Sequence, residues 1–246
     1  LVYLRLDSDG DSTVDTTQPT APQSLPHLPQ VRCIRLPPDS RSPFSGEQLR
    51  EAMPHVTDLA RGGVAALRAW GPQLDALRAY VHTDECDALL PECRRLRKLT
   101  CEWTNPPPAA LPANLKVLHL EHGAYSAAEW RQVVRQCPYL EVLRVDQLPD
   151  DWDAPLPSVR TLEVGWIYAD DLTLILRCFP QLRKLVVLES FAIEDIDWSS
   201  QPCTWTEFEG IVSFCALLQL PPTLQRFKGR LDNVVSVLSR SSLHTE

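Results

Sequence analysis

The sequence lacks any apolar run of the roughly 20 residues that a membrane-spanning helix needs, so we expect no membrane span. Glycine is scarce, with 9 in 246 residues, whereas proline is abundant with 22. This balance argues against a phosphate-binding loop protein and favours many short elements separated by sharp turns. The formal net charge of −8 argues against nucleic acid as the primary partner, because affinity for a polyanion requires a basic face.

The chain also lacks the motifs of the common enzyme classes. GxxxxGK[ST], GxGxxG, HExxH and GxSxG are all absent, so we predict that the protein is not an enzyme and needs no cofactor. His119 and His122 flank Glu121, but strand alternation puts only His119 and Glu121 on one face. Since the sequence offers no third or fourth ligand nearby, we predict no metal site there.

The eight cysteines include no CxxC pair, and the chain is much larger than a small disulfide-stabilised domain. There is no Asn-x-Ser/Thr sequon, and no basic segment followed by an apolar stretch opens the sequence. We therefore predict free thiols in an intracellular, reducing compartment, either the cytoplasm or the cytoskeleton. Because position 1 is Leu rather than Met, we expect the native N-terminus, and any targeting signal in it, to lie outside this sequence.

The dominant pattern is a repeat of the form Leu-x-x-Leu-x-Leu with apolar variants. Its Leu-x-Leu core has the two-residue period of a β-strand with one buried face. Residues 56–73 fit either a further strand copy or a helix. The other copies begin at Leu1, Val31, Leu74, Leu96, Leu115, Leu140, Val159, Leu182 and, in degenerate form, Leu224.

Helical stripes separate some of these copies. In each stripe an apolar residue is followed by apolar residues three and four positions later, a spacing that predicts a helix with one buried face. Each stripe begins ten residues before a strand copy. Ser126 with Glu129 has the spacing of a capping box, and Ser45 with Gln48 predicts an earlier helix. The stripes begin at Cys86, Trp130, Leu172 and Phe214.

Helix-bearing copies alternate with shorter Pro-rich returns such as Leu156-Pro157-x-Val159. A helix-bearing copy reads Cys137-Pro138-x-Leu140-x-x-Leu143-x-Val145. In these features the chain resembles the leucine-rich-repeat family, and in particular its cysteine-containing, helix-bearing branch, which includes F-box proteins. The resemblance covers residues 25–232. It departs at the family's ninth position, where Asn or Cys is usual and this chain has His82, Thr104, Gly123, Leu148, Ile167 and Ser190.

The resemblance implies an α/β fold, a leucine-rich-repeat solenoid. A curved parallel sheet would line its concave side, and helices and Pro-rich returns would cover its convex side. We predict that residues 1–24 form a stray strand repeat and a disordered polar linker, since 7–24 are almost without apolar residues. Residues 25–246 would form a single solenoid domain with a degenerate C-terminal cap.

The outward positions of the predicted strands carry both signs of charge, without the basic stripe or stacking platform of nucleic-acid-binding proteins. Tyr80, Trp103 and Trp166 fall at strand ends on one predicted rim, where they either anchor an interface or pack under adjacent turns. We expect Trp103 and Trp166 to contribute more to binding than to folding. The candidate partner-binding residues are Arg78, Tyr80, Trp103, His119, Glu121, Arg144, Glu163, Trp166, Lys184, Arg226 and Lys228.

The function that these features favour is a non-enzymatic protein–protein interaction module, an adaptor or structural subunit of a larger complex. It would bind a protein partner through the concave face and rim. The resemblance leaves two alternatives open: the substrate-recognition part of a ubiquitin ligase, or a regulator of a GTPase or another enzyme. A longer native N-terminus containing an F-box would favour the ubiquitin ligase.

Overall fold

A computed structural model describes residues 2–5, 25–36, 44–81, 84–102, 110–121, 126–149, 152–167, 169–191, 203–213 and 221–232. The described residues up to Leu115 belong to one compact unit, unit 1, and those from Lys116 onward belong to a second, unit 2. Both units are α/β, with parallel strands that follow one another in chain order. No helix in these ranges is long and apolar enough to cross a membrane.

Unit 1 contains five strands and three α-helices within the described ranges. Each strand pairs in parallel with the next one along the chain. The first helix packs against the second, and the second against the third. The strands are β1 Val2–Arg5, β2 Val31–Arg35, β3 Asp58–Gly62, β4 Ala76–Val81 and β5 Lys98–Glu102, and the helices are α1 Gly46–Ala52, α2 Val64–Trp70 and α3 Asp84–Leu89.

Unit 2 contains six strands and two α-helices in the part of the chain that the structure describes. Its strands also pair in parallel and in chain order. The strands are β6 Val117–Glu121, β7 Val142–Val145, β8 Thr161–Ile167, β9 Lys184–Phe191, β10 Glu207–Ser213 and β11 Arg226–Asp232, and the helices are α4 Ala127–Gln136 and α5 Ala169–Cys178.

The apolar repeat positions form the core of each unit. In β8, for example, Leu162 and Val164 are completely buried, whereas Thr161 and Glu163 keep part of their surface exposed. Within each unit, the strand registers place the middle apolar residue of one repeat beside its counterpart in the neighbouring strand. These fully buried residues are Ile34, Leu59, Leu77 and Leu99 in unit 1, and Leu118, Leu143, Leu162 and Leu185 in unit 2.

The predicted helix starts and strand copies are confirmed where the structure describes them. Ser126 and Ser45 each complete a capping box, with Glu129 and Gln48 respectively. The ambiguous residues 56–73 divide between β3 and α2. The predicted helix around Phe214 and the predicted linker at 7–24 lie outside the described residues. Strand β1 pairs with β2, and the division between residues 24 and 25 stays a prediction.

Four polar side chains form hydrogen bonds between successive turns, from a position that is not part of the apolar repeat pattern. Each stands directly before the first apolar residue of a repeat and donates a hydrogen bond to a backbone carbonyl of the preceding turn. These bonds satisfy backbone carbonyls of the turns. They run from Gln73 to Val56 at 2.9 Å, Asn114 to Arg94 at 2.9 Å, Thr204 to Leu182 at 3.0 Å and Thr223 to Trp205 at 3.0 Å.

Strand β10 is absent from the predicted strand copies. Trp205 and Phe208 occupy the positions that Leu holds elsewhere, and both are buried. The third apolar position is Gly210, where a Cβ atom would lie 2.6 Å from the carbonyl oxygen of Val187 on β9. A side chain at this position would collide with β9, so the residue is glycine. Because glycine is not apolar in the repeat pattern, the strand copy could not be recognised in the sequence.

Candidate functional site

The candidate site is the strand face of unit 2, defined as the outward positions of β6–β11 that alternate with the buried core positions. Strand register brings these positions into two rows. One row runs Val117, Val142, Thr161, Lys184, Glu207 and Arg226, and the second runs His119, Arg144, Glu163, Val186, Glu209 and Lys228. Of these residues, Val186 is buried.

Six of the predicted site residues therefore share one face. Arg144 lies in register with His119 on one side and Glu163 on the other, and all three are half-buried. Neighbouring parallel strands are about 4.8 Å apart, so adjacent side chains cover part of one another. The arrangement holds opposite charges close together on a backbone that the sheet hydrogen bonds fix.

At β9–β11 the charged residues form an ion-pair cluster, the end cluster, of Lys184, Glu207, Glu209, Arg226 and Lys228. Lys184 Nζ lies 2.9 Å from Glu209 Oε2, and Arg226 lies 3.2 Å from Glu207 Oε1. Lys228 Nζ donates to Glu209 Oε1. Together with Phe208, Gln225 and Phe227, these residues line a groove of about 480 Å³.

The Glu209 carboxylate accepts hydrogen bonds from two ammonium groups. Those from Lys228 and then Lys184 lower the pKa of Glu209 from its ordinary 4.5 to about 2. The carboxylate is consequently ionised across the neutral range. Glu209 is therefore a fixed negative charge on the strand face, held between two ammonium groups.

The stability that Glu209 provides is expected to depend on acid pH. Its pKa is lower in the folded than in the unfolded state, so the contribution is complete above about pH 4.5 and is lost as the pH falls toward 2. Glu209→Gln should therefore lower the urea midpoint at neutral pH, and the difference from the unmodified protein should disappear near pH 2. Glu189→Gln, at an exposed position of β9, is the matched control. A Glu209→Gln difference that stays constant with pH would contradict the ion-pair assignment.

The remaining predicted site residues are described only in part. Arg78 is exposed on β4 of unit 1, in register with Ala60 of β3. Tyr80 and Glu121 belong to β4 and β6, but their side chains lie outside the described residues, as does all of Trp103. Their place in the site stays a prediction.

Trp166 lies near the end of β8, next to an irregularity in the strand pairing at Gly165. A Cβ atom at Gly165 would be 2.7 Å from the carbonyl oxygen of Asp146, so only glycine allows this close approach. Beyond the irregularity, Trp166 is half-buried and in register with Ser190. The rim that Trp166 would share with Trp103 stays a prediction.

Six cysteines whose side chains the structure describes are free thiols, and five of these six are buried. Burial raises the pKa of Cys137 to about 12. Burial, and secondarily the nearby Glu92 carboxylate, raises that of Cys93 to about 11. A thiol with so high a pKa is a poor nucleophile and a poor metal ligand at neutral pH. These two cysteines therefore act as small apolar core residues.

Thiol titration tests this role of the cysteines. The denatured, unreduced protein should give a count close to eight, and the native protein should react slowly because unfolding must first expose Cys93 and Cys137. Among the described cysteines, half-buried Cys203 should react first, and Cys203→Ser should remove that fast phase. Rapid reaction of all thiols in the native state would show that the core assignment is wrong.

No family model matches the chain, and no curated protein matches it significantly. Within the described ranges, no group of three or more His, Cys, Asp and Glu side chains is arranged to hold a metal ion. His122 lies outside those ranges.

Proposed function

We propose that the chain is a leucine-rich-repeat solenoid protein that acts as a non-enzymatic interaction module, either an adaptor or a structural subunit. It binds a protein partner through the strand face of unit 2. The two registered rows of mixed charge on that face are the observation that carries the proposal. The recurring buried Leu positions, the two capping boxes and the hydrogen bonds between successive turns support the leucine-rich-repeat assignment.

A surface of this kind suits a folded protein partner better than a polyanion. Arg144, Glu163 and Lys184 alternate in sign across three neighbouring strands, which favours a partner with the complementary order of charges. The backbone of a hydrogen-bonded sheet loses little conformational freedom on binding, and the pattern of charges on it disfavours partners with the wrong arrangement.

The experiment exchanges two neighbouring charges without changing the net charge. In the variant Arg144→Glu/Glu163→Arg the order of signs on the face is reversed. The control exchanges a pair on the helix side, Arg131→Asp/Asp153→Arg, whose guanidinium and carboxylate are joined by bonds of 2.7 and 2.8 Å. Each protein is used as an affinity bait in cells, and captured proteins are quantified by cross-linking mass spectrometry.

A partner of the strand face should be captured by the unmodified protein and by the control, and lost by the Arg144/Glu163 variant. Reversing close charges at an interface typically costs at least about tenfold in affinity, to be measured with the purified partner. Far-UV circular dichroism and the melting temperature establish that each variant is folded. Undiminished capture of every partner by the folded Arg144/Glu163 variant would refute binding through this face.

A further inference from the structure

Strands β10 and β11 match one another residue by residue. Glu207 pairs with Arg226, Phe208 with Phe227, and Glu209 with Lys228. Both outer pairs are ion pairs, and the two phenyl rings stack with centroids 5.8 Å apart and planes within 4° of parallel. An acidic–aromatic–acidic strand is therefore complementary, in parallel register, to the cationic–aromatic–cationic strand β11.

Strand β11 is much more exposed than its neighbour. The side chains of Arg226 and Lys228 are 78% and 81% exposed although each contacts a carboxylate. Phe227 is 39% exposed, whereas Phe208 is 1% exposed. The complementary strand β10 covers β11 from one side only, and within the described ranges β11 is the last strand of its sheet.

The backbone of β11 also has groups directed away from β10. The Arg226 amide donates to the Thr206 carbonyl at 3.0 Å, so its backbone groups face β10. Backbone groups of successive residues in a strand point to opposite edges, so those of Phe227 and Gly229 face the other edge. An extended peptide binds to a sheet edge through such groups.

We propose that the open side of β11 binds an extended segment of a partner protein, with an aromatic residue between two carboxylates, as an added parallel strand. This inference rests on the proposed function, because it names the chemistry of one partner segment and the edge at which it binds. The added strand would repeat the side-chain pattern of β10 on the opposite side of β11.

The chemistry of the two cations supports this occupant. A guanidinium has five N–H donors and an ammonium has three, so one carboxylate does not use the capacity of Arg226 or Lys228. Glu209 already shows the converse arrangement, a single carboxylate between Lys184 and Lys228. An acidic strand would give each cation a second carboxylate, and its aromatic residue would cover the exposed part of Phe227.

The test uses the full chain and synthetic peptides at about 0.15 M salt, where exposed charges are screened as in the cell. The probe is fluorescein-labelled TEFEGIVS, the sequence of residues 206–213, and the readout is fluorescence anisotropy. A charge-reversed peptide, TRFRGIVS, and a TEFEGIVS peptide N-methylated at alternate backbone amides serve as controls. We expect TEFEGIVS to bind, and each control peptide to bind at least about tenfold more weakly.

The protein has a net charge of −8, so nonspecific attraction favours the basic peptide TRFRGIVS over TEFEGIVS. Stronger binding of TEFEGIVS would therefore be opposite to the nonspecific effect. In the variant Arg226→Gln/Lys228→Gln we expect about a twofold to thirtyfold loss of TEFEGIVS affinity, since two exposed ion pairs are removed. The control variant Arg135→Gln/Arg160→Gln changes the net charge equally at two exposed positions outside the edge. Its affinity for TEFEGIVS should equal that of the unmodified protein.

Three results would overturn the inference, and each can be obtained with the unmodified protein. Failure of TEFEGIVS to bind would indicate that the cations protect the edge against pairing, a common role of charges on edge strands. Equal binding of the N-methylated peptide would exclude strand addition, and equal binding of TRFRGIVS would exclude charge complementarity. Because TEFEGIVS binding should survive Arg144→Glu/Glu163→Arg, failure of the edge and failure of the proposed strand-face function are distinguishable.

Discussion

Replacing Trp152 by Ala is expected to lower the free energy of unfolding by about 3–5 kcal/mol. The side chain is 1% exposed. Its ring stacks on Trp130 with centroids 4.8 Å apart and meets Phe179 edge-on at 5.4 Å. Truncation removes a large buried apolar area and opens a cavity between α4, α5 and the return that precedes β8. The indole N–H also donates to the Ala154 carbonyl, which loses that partner.

Urea unfolding followed by far-UV circular dichroism measures this effect without depending on tryptophan fluorescence. Tyr139→Ala is the matched control, because that aromatic side chain is 63% exposed and its removal should change the free energy by less than about 0.5 kcal/mol. A loss below about 1 kcal/mol for Trp152→Ala would show that the aromatic cluster does not hold the helix side of unit 2 together.

Leu143→Ala is expected to cost about 2–5 kcal/mol. Leu143 is completely buried and lies in register between Leu118 of β6 and Leu162 of β8. No single strand of a parallel sheet buries its own apolar face, so the cavity is shared with both neighbours. The damage should therefore extend beyond β7.

Hydrogen exchange read by mass spectrometry distinguishes local from shared damage. Amides of β6, β7 and β8 should all lose protection in the Leu143→Ala protein. Val142→Ala, one residue away on the half-exposed strand face, should cost less and leave the exchange of β6 and β8 nearly unchanged. Equal effects of the two substitutions would show that the alternation assigned to β7 is wrong.

The helix and strand positions of the regular repeats could be predicted because each signal is local and recurs. Ser126 and Glu129 are three residues apart, so their capping box depends only on the geometry of one helical turn. Leu118, Leu143 and Leu162 stand at the same place in successive copies. The repeated spacing therefore indicates which residues face the core.

Strand β10 could not be predicted from the repeat spacing, because its residue types depend on contacts with residues that are distant in sequence. Gly210 stands where another repeat has Leu or Val, and the close carbonyl of Val187 explains why. The sequence likewise gives no indication of the role of Thr204 and Thr223. Each hydroxyl donates a hydrogen bond to a carbonyl of the preceding turn, and this contact exists only once the two turns are adjacent in the fold.

The same distinction between local sequence signals and long-range contacts applies to the candidate site. Strand alternation alone determined that His119, Arg144, Glu163, Lys184, Arg226 and Lys228 face outward, because successive side chains of a strand point to opposite sides. Only the tertiary structure decided which of them meet. Glu209 lies 25 residues from Lys184 and 19 from Lys228, and the lengths of the intervening returns set the register that brings both cations to one carboxylate. The spacing within a strand is encoded locally, whereas an ion pair between strands depends on how all the intervening residues pack.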